Sequence, residues 1–214
     1  MTIDVETHIN AIRREVGDRV LEAGTARVLK VSRDYRDPVE DVWDALTDPE
    51  RIPRWFLPIE GDLRVGGRYQ FKGNAGGAIE ACDPPRSFST TWEYNEAVSW
   101  LTVTLEATDA GGTRFALEHF ALADDERAQE FWDQYGPGAV GVGWDGAVLG
   151  LTLYLETGEP NPDAEAWSMS EEGKRFSALS SEAWGEAAVA WGADAEWAKG
   201  AVARTTAFYT GVPA

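Results

Sequence analysis

The chain has 214 residues, enough for one domain with an appendage or for two small ones, and too few for a large multidomain assembly. With 19 Lys+Arg against 37 Asp+Glu its formal charge is −18 and its pI is about 4.4, which disfavours nucleic-acid phosphates and anionic membranes as partners. Hydrophobic residues make up 43% and include 10 Trp, 8 Phe and 6 Tyr, ample apolar area for a folded core rather than a disordered acidic tail.

Residues 1–35 are net neutral, and 36–155 and 156–214 carry −12 and −6. The N-terminal segment has no apolar run of signal-peptide length, and no stretch approaches roughly 18 uninterrupted apolar residues, so neither a leader nor membrane insertion is expected. One cysteine, Cys82, excludes an intrachain disulfide framework and a multi-cysteine zinc site; it reads as a small buried filler, and a reducing cytoplasm is the expected setting.

In chain order, residues 14–16 and 27–35 flank the breaker 22–25 and read as two strands. At Asp37-Pro38-Val39-Glu40 the period turns helical, with Asp37 at the N-cap, Pro38 in the first helical position and Glu40 as capping-box acid. Val39, Val42, Trp43 and Leu46 then share a face. Asp48-Pro49-Glu50 repeats the signal and leads into Ile52, Trp55 and Phe56, so two short helices follow one another almost without a loop. Residues 61–122 carry the punctuation of an antiparallel meander. Strands are expected at 68–72, 78–80, 87–94, 100–108 and 113–121, with turns at 73–77, 83–86 and 109–112. Residues 124–135 read only as polar. Gly136-Pro137-Gly138 opens a helix over 138–156 with an apolar stripe of Trp144, Ala147, Val148, Leu151 and Leu155. Residues 158–163 form a linker. Beyond it Phe176, Leu179, Ser180, Ala183, Trp184, Ala187, Ala188 and Trp191 trace a helix that Gly192 ends, and Asp194 caps another running to about Tyr209.

Five phrases stand in order: residues 35–50, Pro53-Arg54-Trp55-Phe56, Gly66-Gly67-Arg68-Tyr69, residues 80–86, and Thr91-Trp92-Glu93. Together they resemble the SRPBCC superfamily, and within it the bacterial branch similar to the C-terminal domain of the activator of the 90-kDa heat-shock protein ATPase. The resemblance covers residues 25–156. It implies an α+β helix-grip fold, a curved antiparallel sheet wrapped on a long C-terminal helix, often enclosing a pocket for an apolar or amphipathic small molecule. On that view residues 1–24 are an N-terminal arm or edge strand, 25–157 the grip domain, and 158–214 a linker and helical C-terminal extension. The superfamily includes carriers, receptors, cyclases and chaperone cofactors, so function must be argued from the site. Residues 1–24 are too short for the separate chaperone-engaging domain of the eukaryotic activators, which argues against chaperone stimulation.

The residues expected to line the pocket are Trp43, Trp55, Phe56, Tyr69, Phe71, Trp92, Phe115, Leu117, His119, Trp144 and Val148, although core packing would use the same side chains. By alternation His119 shares a face with Phe115 and Leu117, where it is either an acid–base group or a histidine hydrogen-bonded within the structure. Asp145 is a candidate base if it faces the cavity, and otherwise an exposed or hydrogen-bonded group. Glu80, Glu93, Glu106 and Glu118 are expected on the solvated face of the sheet.

Gly136, Gly138 and Gly141 satisfy a G-x-G-x-x-G pattern, but acidic residues 124–133 rather than a buried strand precede it. Close helix packing is therefore expected there and no dinucleotide cofactor. Gly141, Gly146 and Gly150 either admit a close neighbour or leave room for a ligand. His8 and His119 have no cysteine cluster to help them hold a metal, and none is expected. Trp167, Trp184, Trp191 and Trp197 pack the C-terminal helices on the domain or in a homodimer. The leading expectation is a cytoplasmic, non-catalytic protein that binds an apolar or aromatic small molecule between the sheet and the 138–156 helix. The alternatives are a cyclase-like or hydrolase-like enzyme using His119 or Asp145, and a protein-interaction or chaperone-associated module.

Overall fold

Glycine and proline punctuation sets the element ends. In the computed structural model, which describes residues 3–160 and 164–212, α1 (Val5–Asn10) precedes β1 (Arg13–Leu21) and β2 (Gly24–Tyr35). The turn between the strands closes at Gly24, whose φ of +139° suits a residue without a Cβ. Two helices follow, α2 (Val39–Thr47) and α3 (Ile52–Trp55). Next come β3 (Ile59–Gly61), β4 (Arg68–Phe71), β5 (Gly76–Asp83), β6 (Ser87–Tyr94), β7 (Ala97–Ala107) and β8 (Thr113–Leu122). The chain then turns helical through α4 (Glu126–Tyr135), α5 (Gly138–Thr157), α6 (Ala164–Ser168), α7 (Glu171–Trp191) and α8 (Ala195–Thr210). The strands form one sheet in the order β1-β2-β8-β7-β6-β5-β4-β3, with antiparallel pairing from β3 through β8. This is the expected α+β helix-grip arrangement with a helical C-terminal extension.

Local details depart from expectation for identifiable reasons. Asp37 does not cap α2: Pro38 occupies the N-cap with ψ 158° and no side chain closes the first turn, while the Asp37 carbonyl accepts from Thr113 Oγ1 at 2.7 Å. The second helix starts at Ile52, because Asp48 Oδ1 accepts from the Glu50 N–H at 2.8 Å and so makes a turn of the segment that looked like a helix start. Residues 126–135 form α4, capped by Asp125; the helix buries no residue, which is why no apolar stripe marked it. The N-terminal arm is partly helical, as α1 buries Val5 and Ile9 beneath an Asp4 cap. Cys82 is exposed, not a buried filler. The β4–β5 pairing ends at Arg68 with Ala78, so the last residues of β5 have a neighbour only in β6. Residues 161–163 of the expected linker lie outside the described residues.

Packing divides the chain into two compact units, each discontinuous in sequence. The first takes in the chain up to Val31, residues 122–146 and the segment from 162 onward. Within it α7 packs on β1, α1, α6 and α8, and α4 packs on α8. Ile3, Ile9, Ile12, Phe176, Trp184, Ala198 and Ala201 are buried there. The glycines at the start of α5 admit these helices. A Cβ on Gly141 would stand 2.2 Å from the Trp184 indole, and one on Gly138 would stand 3.1 Å from Thr205 Cγ2. The G-x-G-x-x-G segment is thus a packing surface for α7 and α8. The tryptophans of the extension are anchored in the same unit: Trp191 Nε1 donates to Asp18 at 3.2 Å, Trp197 Nε1 donates to the Asp133 carbonyl at 3.1 Å, and Arg27 lies 4.2 Å from the Trp132 ring.

The second unit comprises residues 32–121 and 147–161. Directly paired residues of neighbouring strands point to one side, so register assigns the faces. Phe88, Thr90 and Trp92 of β6, Ser99, Leu101, Val103 and Leu105 of β7, and Phe115, Leu117 and His119 of β8 share the inner face. The later turns of α5 bury Val148, Leu149, Leu151 and Leu153 in this unit. Tyr154 Oη accepts from Arg51 Nε at 3.0 Å, and Arg51 pairs with Asp41 at 2.8 Å, so the helix end is tied to α2.

The glycines of α5 are expected to respond oppositely to alanine. Gly141→Ala drives a methyl into the fully buried Trp184 and should destabilise the protein by about 1–3 kcal/mol. A Cβ on Gly146 would meet nothing within 4 Å, so Gly146→Ala should stabilise by up to about 1 kcal/mol. Urea unfolding of the two variants measures both signs.

Candidate functional site

In the second unit the inner face gathers a continuous row of aromatic rings. Trp55 and Phe56 lie 5.5 Å apart by centroid, Phe56 meets Phe71 edge-on at 5.0 Å, Phe71 lies 5.9 Å from Trp92, and Trp92 lies 6.3 Å from the His119 ring. Each is held by its own element. Trp55 Nε1 donates to the Ala45 carbonyl of α2 at 2.8 Å, which fixes α3 on α2. Trp43 is edge-on to Phe88 at 6.0 Å, and the Tyr69 hydroxyl donates to the Thr91 carbonyl at 2.7 Å. The expected pocket residues therefore fall into two classes. Trp43, Tyr69, Phe115, Leu117 and Val148 are buried core, whereas Trp55, Phe56, Phe71, Trp92 and His119 are half-buried. Trp144 is buried in the first unit.

His119 ends the aromatic row, and its Nε2 lies 2.6 Å from Ser99 Oγ. Ser99 Oγ also donates to the Trp92 carbonyl at 3.1 Å, which engages its only proton. The ring nitrogen, the serine hydroxyl and the Trp92 carbonyl thus form one short hydrogen-bonded chain at the end of the row. Desolvation lowers the His119 pKa to about 4, so the ring is neutral at physiological pH. The strand carboxylates lie elsewhere: Glu80 and Glu106 are exposed, Glu93 is paired with Arg68, and Glu118 faces outward opposite Thr102. Cys82 is also set against reactivity, since desolvation and then Asp83 raise its thiol pKa.

Asp145 belongs to the first unit, and its side chain is 0% exposed. Arg14 of β1, 6% exposed, donates from Nε to Asp145 Oδ2 at 2.8 Å, and Ser180 of α7 donates its hydroxyl to the same oxygen. Arg14 Nη1 is held by the carbonyls of Ile9 at 3.1 Å and Ile12 at 3.0 Å. Burial pushes the Asp145 pKa up to about 6 against the pull of Arg14, Ser180 and the nearby Trp184. Asp145 is therefore a structural ion-pair partner rather than a group open to a ligand. Its partners Arg14 and Ser180, and Ser99 beside His119, escaped the sequence reading. A lone arginine on a half-exposed strand and a serine among alanines carry no local signal. Among the described residues no group of three His, Cys, Asp or Glu side chains converges to hold a metal. One helix, Gly138–Thr157, is long and apolar enough to cross a membrane by length and composition, and most of it is buried inside the protein.

The model of the activator of Hsp90 ATPase homolog 1-like protein family matches residues 36–156. Among solved structures, the crystal structure of CalU16 from Micromonospora echinospora is 34% identical, covers 83% of this chain and 98% of its own, and superposes with a TM-score of 0.66. The solution structure of the same protein gives 33% identity, coverage of 85% and 97%, and a TM-score of 0.70. Protein MLL2253 from Mesorhizobium loti is 26% identical over 61% of this chain and 97% of its own, with a TM-score of 0.52. Coverage of 85% exceeds what residues 36–156 supply, so the likeness to CalU16 continues into the flanking segments that the sequence reading set outside the family pattern. No curated protein sequence matches the chain.

Two titrations follow from this geometry. The folded pKa of Asp145, about 6, lies above the ordinary 3.8, so its contribution to stability is full below about pH 3.8 and is lost as pH rises through about 6. The urea-derived stability of the wild type relative to Asp145→Asn should therefore fall between about pH 4 and pH 7. For His119 the folded pKa of about 4 is depressed, and its stabilising contribution is lost as pH falls from about 6.5 towards 4. Its imidazole carbon-bound proton shifts should stay flat from about pH 8 to pH 5 in an NMR titration.

Proposed function

Because the chain belongs to the family of activator of Hsp90 ATPase homolog 1-like proteins, we propose that its second unit binds an apolar or aromatic small molecule and does no chemistry on it. The supporting observation is the row of Trp55, Phe56, Phe71 and Trp92, which stays half-buried while Tyr69, Leu101, Phe115 and Leu117 beside it are closed into the core. Large rings left partly uncovered on an inner face favour a planar or apolar occupant. A ligand that together with the row removes about 300 Å² of apolar surface from water gains about 7 kcal/mol, a scale that supports roughly millimolar binding once about 3–4 kcal/mol is lost to association. At the end of the row, the neutral His119 and Ser99 provide a polar mark for one end of the ligand. The lone exposed thiol of Cys82 fits a reducing compartment and supports a cytoplasmic setting.

Equilibrium dialysis and native mass spectrometry against a panel of lipids and aromatic metabolites test the proposal. A retained compound should bind saturably, lose about fivefold in affinity on Phe71→Ala, and be indifferent to Phe208→Ala on the exposed surface of the first unit. Retention of no compound, or equal weakening by both substitutions, overturns it.

A further inference from the structure

The sheet has two edges, and they are protected unequally. At one edge β3 offers only Ile59–Gly61, too short to template a further strand. At the other, β1 runs nine residues from Arg13 to Leu21, contains neither proline nor lysine, and has β2 as its only neighbour among the described strands. Helix packing covers a face of β1: Arg14 is paired with Asp145 beside Ser180, and Asp18 accepts from Trp191, so the even-numbered side chains turn towards α7. Among the described residues, the backbone of residues 13–21 makes no backbone–backbone hydrogen bond outside the sheet. Near the strand's end Val20 is 86% exposed, the barest large apolar side chain of the described residues.

Charge and register select the occupant of this edge. The chain carries −18, which sets two copies against each other over most of their surface, but β1 has three arginines against two acids, Glu15 and Asp18, a net of +1. Two copies joined by an antiparallel edge pair are related by a two-fold axis perpendicular to the sheet. Directly paired residues share a face, so that axis must pass through a residue. Centred on Val16, the pairing sets Arg13 opposite Arg19 and asks Asp18 to meet an Arg14 already held by Asp145. Centred on Asp18, it sets two carboxylates face to face. Centred on Gly17, it sets Glu15 opposite Arg19 twice and Gly17 against Gly17, where a Cβ would meet nothing within 4 Å of its own chain. We propose that this protein forms a homodimer by antiparallel pairing of its β1 edge strands about Gly17, which continues the sheet from one copy into the other. The open edge supplies the backbone hydrogen bonds, the two Glu15–Arg19 pairs fix the register, and Val20 comes to lie opposite Arg14 of the other copy and is covered there.

Sedimentation velocity of the intact chain in salt of about 0.15 M, which screens the repulsion of the two acidic bodies beyond about 8 Å, should resolve a species of twice 23.4 kDa whose share rises with protein concentration. Arg19→Glu should weaken the dimer by at least about tenfold with an unchanged far-UV spectrum, and adding Glu15→Arg should restore it. In a Cys82→Ser background, Gly17→Cys should oxidise to a covalent dimer, because Cα atoms of directly paired strand residues stand about 4.5–5.5 Å apart. Val65→Cys, at an exposed site away from the edge, should not cross-link in the same background. The proposal is overturned by a chain that stays at 23.4 kDa, by a dimer that the charge swap does not recover, or by a dimer that forms no cross-link through Gly17→Cys and dissolves instead on Phe208→Ala in α8.

Discussion

Burial of α5 is the constraint from which the rest follows. A 20-residue helix carrying mainly Gly, Ala, Val and Leu gains stability chiefly by being covered. Its only charged residues before the last turn reduce to Asp145, placed midway. Covering that carboxylate without a partner would be prohibitive, so β1 supplies Arg14 and α7 supplies Ser180. The N-terminal arm and the C-terminal extension, remote in sequence, are thereby brought to one place. The same demand explains two of the glycines: where α5 meets Trp184 and Thr205, at Gly141 and Gly138, it has no Cβ to spare.

The second unit solves a different problem. Strands β6 to β8 close their inner face with Leu101, Val103, Leu105, Phe115 and Leu117, while α2 and α3 bring Trp43, Trp55 and Phe56 to it. Toward Phe71, Trp92 and His119 the rings remain partly open. The same residue types therefore act as core at one end of the face and as a candidate binding surface at the other. Hydrophobicity alone does not distinguish them; position along the strand does.

That distinction bounds what was legible beforehand. Alternation put His119 on the face of Phe115 and Leu117, and register bears this out, but nothing in the sequence pairs it with Ser99, which is 20 positions away and reaches it diagonally, two residues along β7 from its directly paired Leu101. Spacing identified α5, α7 and α8 because each carries an apolar face or a clear cap. It missed α4, which buries nothing, and misplaced the α2 cap, where Pro38 rather than Asp37 takes the boundary. Cys82 looked like core by residue type and is exposed because β4 ends before reaching it.

The sequence by itself determined the family, the α+β class, the succession of the longer strands and of α2, α5, α7 and α8, and the faces of the central strands, because all of these rest on period, punctuation and local phrases. Only the tertiary structure decided that Asp145 is locked to Arg14 across 131 residues, that Gly141 exists to seat Trp184, and which aromatic rings remain uncovered. Those outcomes depend on which distant side chain arrives to fill or pair a site, and long-range contact leaves no periodic mark in the chain that makes it.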